Sequence, residues 1–129
     1  MITIVVITSV ACFEVEAARP RSTKPSISAQ RVNVLNNYIS PKNRQRPSRK
    51  MTKFIILHTT EGAARGALDK LSANGECHYV VNSDGKVYAI IDRKRVAYHA
   101  GLSMWEGQTG LDSVSVGIEV VGYHNKKPS

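Results

Sequence analysis

The clearest hydrophobic pattern in the chain is the run Lys53 to His58, KFIILH, short and almost continuously apolar. A run of that length and composition predicts a strand buried on both faces, near the centre of a sheet. The stretch TTEGAARGALDKLSANG follows and predicts a turn and one helix over roughly Ala63 to Ser72, closed by Asn74-Gly75. On that helix Ala64, Ala67, Leu68 and Leu71 fall on the side that would face the sheet. In HYVVNSDGKVYAII, two β-rich runs flank Ser83-Asp84-Gly85, the composition of a tight hairpin turn with glycine at the positive-φ position. A loop from Asp92 to Asp112 has little periodicity, and a last strand is predicted over Val114 to Val121. Strand, helix, hairpin, long loop and strand define an α/β fold: a mixed central β-sheet with a β-hairpin and flanking helices.

The ends of the chain read differently. Met1 to Phe13, MITIVVITSVACF, is apolar but too short to span a bilayer as a stable helix. Small residues stand around Val15-Glu16-Ala17 where a signal peptidase would cut. Residues 1–17 are therefore read as a secretory signal cleaved near Ala17 or Ala18, which places the protein in the periplasm, the cell envelope or outside the cell. No Lys or Arg precedes the apolar run, and a buried first strand is the alternative reading. Lipid anchoring at Cys12 would need a better sequence than Ser9-Val10-Ala11. With the leader removed, Cys77 is the sole cysteine, so no intrachain disulfide can form.

Charge separates two further regions. Ala18 to Lys53 holds ten Lys or Arg and no acidic residue, whereas Phe54 to Ser129 holds eight of each sign. The formal charge of +8 thus belongs to the leader-proximal segment, and residues 18–52, with Pro41 and Pro47 among their cations, are read as a basic, flexible linker or arm. Only Tyr38 interleaves its cations, which argues against nucleic acid as a partner; anionic wall polymers or lipid head groups would suit it better, and a basic linker with no specific partner is the preferred reading. Residues 53–129 remain as the folded domain; the oligomeric state is left open, with a monomer as the default.

Glu119 is the residue that raises a chemical question. An ionised carboxylate inside an apolar strand is costly unless it is paired, binds a cation or keeps its proton. Alternation puts Gly117 and Val121 on its face, and Gly117 would leave open space for substrate or water. A buried ion pair with one of the arginines is the competing explanation. His58 closes the first core strand, where sites in α/β proteins gather, though a packed histidine would look the same. Trp105, in a glycine-rich loop after YHAG, would either line a ligand groove or cover the core edge. Cys77 and His78 are adjacent in a strand and point to opposite faces, which excludes a thiol–imidazole nucleophile pair.

Together FIILHTTEG, ECHYVVNSDGKVYAIID, VAYHAGLSMWEG and SVGIEVVG resemble the type 2 N-acetylmuramoyl-L-alanine amidases, which include the peptidoglycan recognition proteins. The resemblance spans roughly Lys53 to Tyr123, in the family's order and spacing. It implies a zinc-dependent peptidoglycan hydrolase acting on muropeptides, with His58 as the first zinc ligand and Glu119 as the catalytic glutamate. It further implies that His99 and Trp105 contact substrate, that His78 supports the site without ligating, and that Tyr98 replaces the family's Trp. The two remaining ligands of the family lie beyond the GIE strand, past another helix, whereas here the sequence ends at Ser129, ten residues after Glu119. The expectation is therefore a domain truncated at its C-terminus, with a non-catalytic muropeptide-binding module as the alternative. His124 could stand in as a ligand only if the strand ends converge.

Overall fold

The computed structural model describes residues 31–123 together with a two-residue strand at Val5–Val6. Eight strands and one α-helix are found among the described residues. They are β1 (Val5–Val6), β2 (Val34–Leu35), β3 (Phe54–Thr59), α1 (Ala64–Asn74), β4 (Tyr79–Val81), β5 (Val87–Ala89), β6 (Met104–Trp105), β7 (Gln108–Thr109) and β8 (Ser115–Val120). Six of them form one mixed sheet in the order β1-β3-β8-β4-β5-β2, and β6 with β7 makes a separate hairpin. β8 lies between β3 and β4 and is parallel to both; β4 and β5 are antiparallel.

Alternation along β3 and β8 divides the sheet into unequal faces. Phe54, Ile56 and His58 are buried, and their register partners Ser115, Gly117 and Glu119 share that side. Val80, Tyr88 and Ile90 continue it, and α1 packs over this end through Leu68 and Leu71, with Ala67 against the same cluster. Leu111 closes the other end over Phe54 and Ile56. The opposite face carries Ile55, Leu57, Val116, Ile118 and Val120, all partly or wholly exposed.

Turn chemistry explains the connections. α1 ends because Gly75 takes the left-handed conformation, φ 65°, from which its N–H reaches the Leu71 carbonyl at 2.8 Å. The hairpin from β4 to β5 turns at Gly85, φ 80°, with Asp84 accepting hydrogen bonds from Asn82 Nδ2 and the Lys86 backbone N–H. The long loop is less irregular than its sequence suggests. Glu106 and Gly107 both have positive φ, the geometry of a two-residue hairpin turn, and bring β6 against β7.

The reading of residues 18–52 as a solvated arm does not hold for residues 31–52. β2 adds to the sheet as a parallel strand beside β5, and Ser40 is buried with its N–H on the Ile90 carbonyl at 2.9 Å. The cations of this segment are used within the fold. Arg46 donates to the carbonyls of Asn74 and Gly75 at 2.6 and 3.1 Å, where α1 leaves its last acceptors unpaired, and its guanidinium lies 4.1 Å from the Tyr98 ring centre. Arg49 donates to the Arg93 carbonyl, and Val96 N–H to the Pro47 carbonyl. Charge without acidic neighbours looked like solvation, but backbone carbonyls are acceptors that a sequence does not display. One α-helix, rather than several flanking helices, packs on the sheet among the described residues.

β1 pairs antiparallel with β3, Val5 opposite Leu57. The rest of the leader and the proposed cleavage point lie outside the described residues, as does His124.

Candidate active site

Parallel pairing of β3 with β8 makes His58 and Glu119 direct register partners. Neighbouring strands are about 4.8 Å apart and partners point the same way, so the imidazole and the carboxyl stand side by side on the enclosed face. Burial pushes the Glu119 carboxyl up to about 7, with Glu76 adding to the rise and Lys70 opposing it. Burial also lowers the pKa of His58, against a weaker upward pull from Asp112. Glu119 is thus not spent in an ion pair with one of the many arginines: no such bridge is found among the described residues.

The space beside Glu119 is filled, contrary to expectation. The His99 ring rests directly on Gly117, where an added Cβ would fall 2.3 Å from its Cγ. Glycine is needed there for an imidazole to lie against the strand. The His99 side chain is fully buried, its Nδ1 3.1 Å from His58 Nε2 and its Nε2 3.0 Å from Ser115 Oγ. Both ring nitrogens are therefore engaged inside the protein, whereas the resemblance implies a contact with substrate. Burial holds its pKa down to about 3, and the His58 and His78 rings and Arg49 act in the same direction. Asp112 fixes the YHAG loop from below, its Oδ1 accepting the backbone N–H groups of His99 and Ala100 at 2.9 and 2.8 Å.

His78 supports the site rather than offering a ligand. Its Nδ1 accepts the Gly117 N–H at 3.0 Å and its Nε2 meets the Arg95 carbonyl at 2.9 Å, which consumes both nitrogens. Cys77 is buried, and burial next to Glu119 and Glu76 pushes its thiol well up, so it is no nucleophile. Trp105 stands on β6, 40% exposed, outside the His58–His99–Ser115 chain of hydrogen bonds. Ser115 and Asp112 are the supporting residues that sequence reasoning did not pick out, and Gly117 was read as open space rather than as the seat of a ring. A signal was present: Ser, Gly and Glu at alternate positions of one strand leave room on one face for a bulky neighbour.

The donor set bears on whether a zinc ion could be held here. His58 fits as one ligand, being neutral, buried beside a carboxylate, and left with a ring nitrogen that makes no hydrogen bond. Among the described residues no group of three His, Cys, Asp or Glu could hold a metal ion. Residues 31–123 therefore do not complete a zinc site by themselves.

Fold and site define an α/β protein with a buried imidazole–carboxyl pair on the enclosed face of its mixed sheet. Residues 47–129 match the family model described as N-acetylmuramoyl-L-alanine amidase, and the chain belongs to that family. It is 29% identical over 76 residues to N-acetylmuramoyl-L-alanine amidase AmiD of Escherichia coli K12. That match covers 53% of this chain and 28% of AmiD, so the chain spans about a quarter of the curated relative. Among solved structures, a mutant endolysin from Bacillus subtilis is 26% identical with a TM-score of 0.49, over 70% of this chain and 62% of that one. AmiD from E. coli, solved in complex with the substrate anhydro-N-acetylmuramic acid-L-Ala-D-gamma-Glu-L-Lys, is 22% identical with a TM-score of 0.49, over 78% of this chain and 37% of that one. Citrobacter freundii AmpD is 18% identical with the same TM-score, over 74% and 60%.

Proposed function

We propose that the protein hydrolyses the amide between N-acetylmuramic acid and L-alanine in peptidoglycan fragments, with Glu119 as the group that moves protons. The observation that carries this reading is a half-buried carboxyl, raised to about 7, beside the His58 imidazole on the enclosed face of the sheet. Amide cleavage needs water made nucleophilic and a proton for the departing nitrogen. A carboxyl with a pKa near neutrality accepts the first proton and returns it as the second. A zinc ion held by His58 and by donors outside residues 31–123 would supply Lewis-acid charge to polarise the carbonyl. His58, His99 and Ser115 form a buried, hydrogen-bonded floor to the site, while the exposed Trp105 offers a flat apolar surface for sugar or peptide. Export, read from residues 1–17, would place the protein with its substrate.

The test is release of the stem peptide from a muropeptide by mass spectrometry, with zinc supplied. Glu119→Gln should abolish release and leave metal content unchanged. Hydrolysis that survives this substitution removes Glu119 from the role.

The alternative reading is a module that binds muropeptide without cutting it. Metal analysis with a binding assay separates the two. Stoichiometric zinc with peptide release supports the hydrolase; wall binding without metal or release supports the module.

A further inference from the structure

We infer that Ser115 and His99 are positioning residues that fix the tautomer of His58, placing its proton on Nε2 and leaving Nδ1 as the bare nitrogen. The inference deepens the hydrolase reading, since it names the atom of His58 that is free for a cation or a proton. It follows from a hydrogen-bond chain with one self-consistent direction. The chain ends on the Leu111 carbonyl, which can only accept, and Ser115 Oγ lies 2.6 Å from it. The serine hydrogen is therefore spent on Leu111. Were it turned toward His99, the carbonyl and hydroxyl oxygens would face each other at that distance with lone pairs only.

The rest is forced in sequence. His99 Nε2, 3.0 Å from Ser115 Oγ, must bring its own hydrogen to that contact. A neutral imidazole carries one such hydrogen, so His99 Nδ1 is an acceptor. His58 Nε2, 3.1 Å away, must then be the donor, and His58 Nδ1 carries no proton. Asp112 reinforces the polarity. Its Oδ1 is 4.0 Å from His99 Nε2, beyond a hydrogen bond, and its negative charge favours the proton on that nitrogen. His78 cannot intervene, because both its nitrogens are committed to Gly117 and Arg95. Gly117 admits the ring that links the two ends.

A carbonyl in the 3₁₀ turn Leu111–Ser113 thus dictates, through two side chains, which nitrogen the opening strand presents. Chains of this kind are how proteins select the ligating or basic nitrogen of a histidine.

Long-range nitrogen–proton NMR correlations of the imidazole rings, recorded on the metal-free full chain in neutral solution, read the tautomer directly. His58 and His99 should each appear as one species protonated at Nε2, exceeding the other tautomer by roughly tenfold or more, as expected when the alternative breaks a buried hydrogen bond. Ser115→Ala removes the anchor and should convert His99, and with it His58, to a tautomer mixture; Ser115→Thr, which keeps the hydroxyl, should restore the single form. A His58 protonated at Nδ1 in the unmodified protein, or a Ser115→Ala spectrum unchanged at His58, overturns the inference. The unmodified spectrum decides the matter even if a variant does not fold. Because no metal or substrate is present, failure of the amidase reading leaves this result intact, and the reverse holds too.

Discussion

Replacing Gly117 by alanine adds one methyl group at the point where His99 touches β8. The added Cβ would sit 2.3, 2.5 and 2.6 Å from Cγ, Cδ2 and Nδ1 of that ring. Carbon atoms in contact prefer about 3.5–4.0 Å, so the ring must retreat by more than about an ångström. The backbone itself has no objection: extended residues accept alanine, and the exchange alone would favour folding by about 0.5–1 kcal/mol. Against this stand an overpacking term of about 1–3 kcal/mol and the loss of the bonds to His58 and Ser115. Leaving their buried partners unpaired costs about 1–3 kcal/mol. The balance is a destabilisation of roughly 2–4 kcal/mol, a large share of what a small domain has. In urea, where slopes are about 1–3 kcal/mol per M, the midpoint should fall by about 1–2 M. Gly66→Ala is the matched control: it lies inside α1 with nothing within 4 Å of the new methyl, and should stabilise by about 0.5–1 kcal/mol. If Gly117→Ala unfolds within about 0.5 kcal/mol of the parent protein, the ring does not rest on Gly117 and the account of the site floor is wrong.

Acidity gives a second handle. His58, His78 and His99 are all held below the usual imidazole value, so unfolding takes up protons as pH drops through about 6.5. Glu119, raised to about 7, works oppositely and releases a proton on unfolding between about 4.5 and 7. Three groups outweigh one, so stability should decline from pH 7 toward 5 in urea melts, and Glu119→Gln should steepen the decline; a flat profile contradicts the buried neutral imidazoles. Arg46→Ala removes two hydrogen bonds from the C-terminus of α1 and the contact with Tyr98, and should cost about 1–3 kcal/mol in the same assay. Cys77 should resist alkylation in the native protein and react at once in denaturant, as followed by mass spectrometry; rapid native labelling would show that the core there is open.

What could be read from the chain was local. KFIILH, the NSDG turn and the Asn74-Gly75 stop each carry their own signal within a few residues, and β3, the β4–β5 hairpin and α1 lie within two residues of where these signals put them. Glu119 stood out because a carboxyl in an apolar strand is anomalous by itself. Its pairing with His58 depends on β8 inserting between β3 and β4, a contact between residues far apart in sequence that no window contains. The same holds for Arg46, whose acceptors are 28 and 29 positions away. Gly117 was misread because a missing side chain looks like a vacancy from within one strand; only the fold shows that an imidazole from another loop fills it. β6 and β7 escaped notice because two-residue strands leave no alternation to detect.

The family match begins at residue 47, inside the segment that docks onto the sheet. Anyone trimming the gene to that boundary would delete β2 and Arg46 together. β5 would then become a bare margin with unsatisfied amides, an invitation for another copy to pair there. The helix it neighbours would lose its cationic stopper in the same cut. Recombinant material should therefore start before residue 31, or aggregation will be mistaken for a property of the domain.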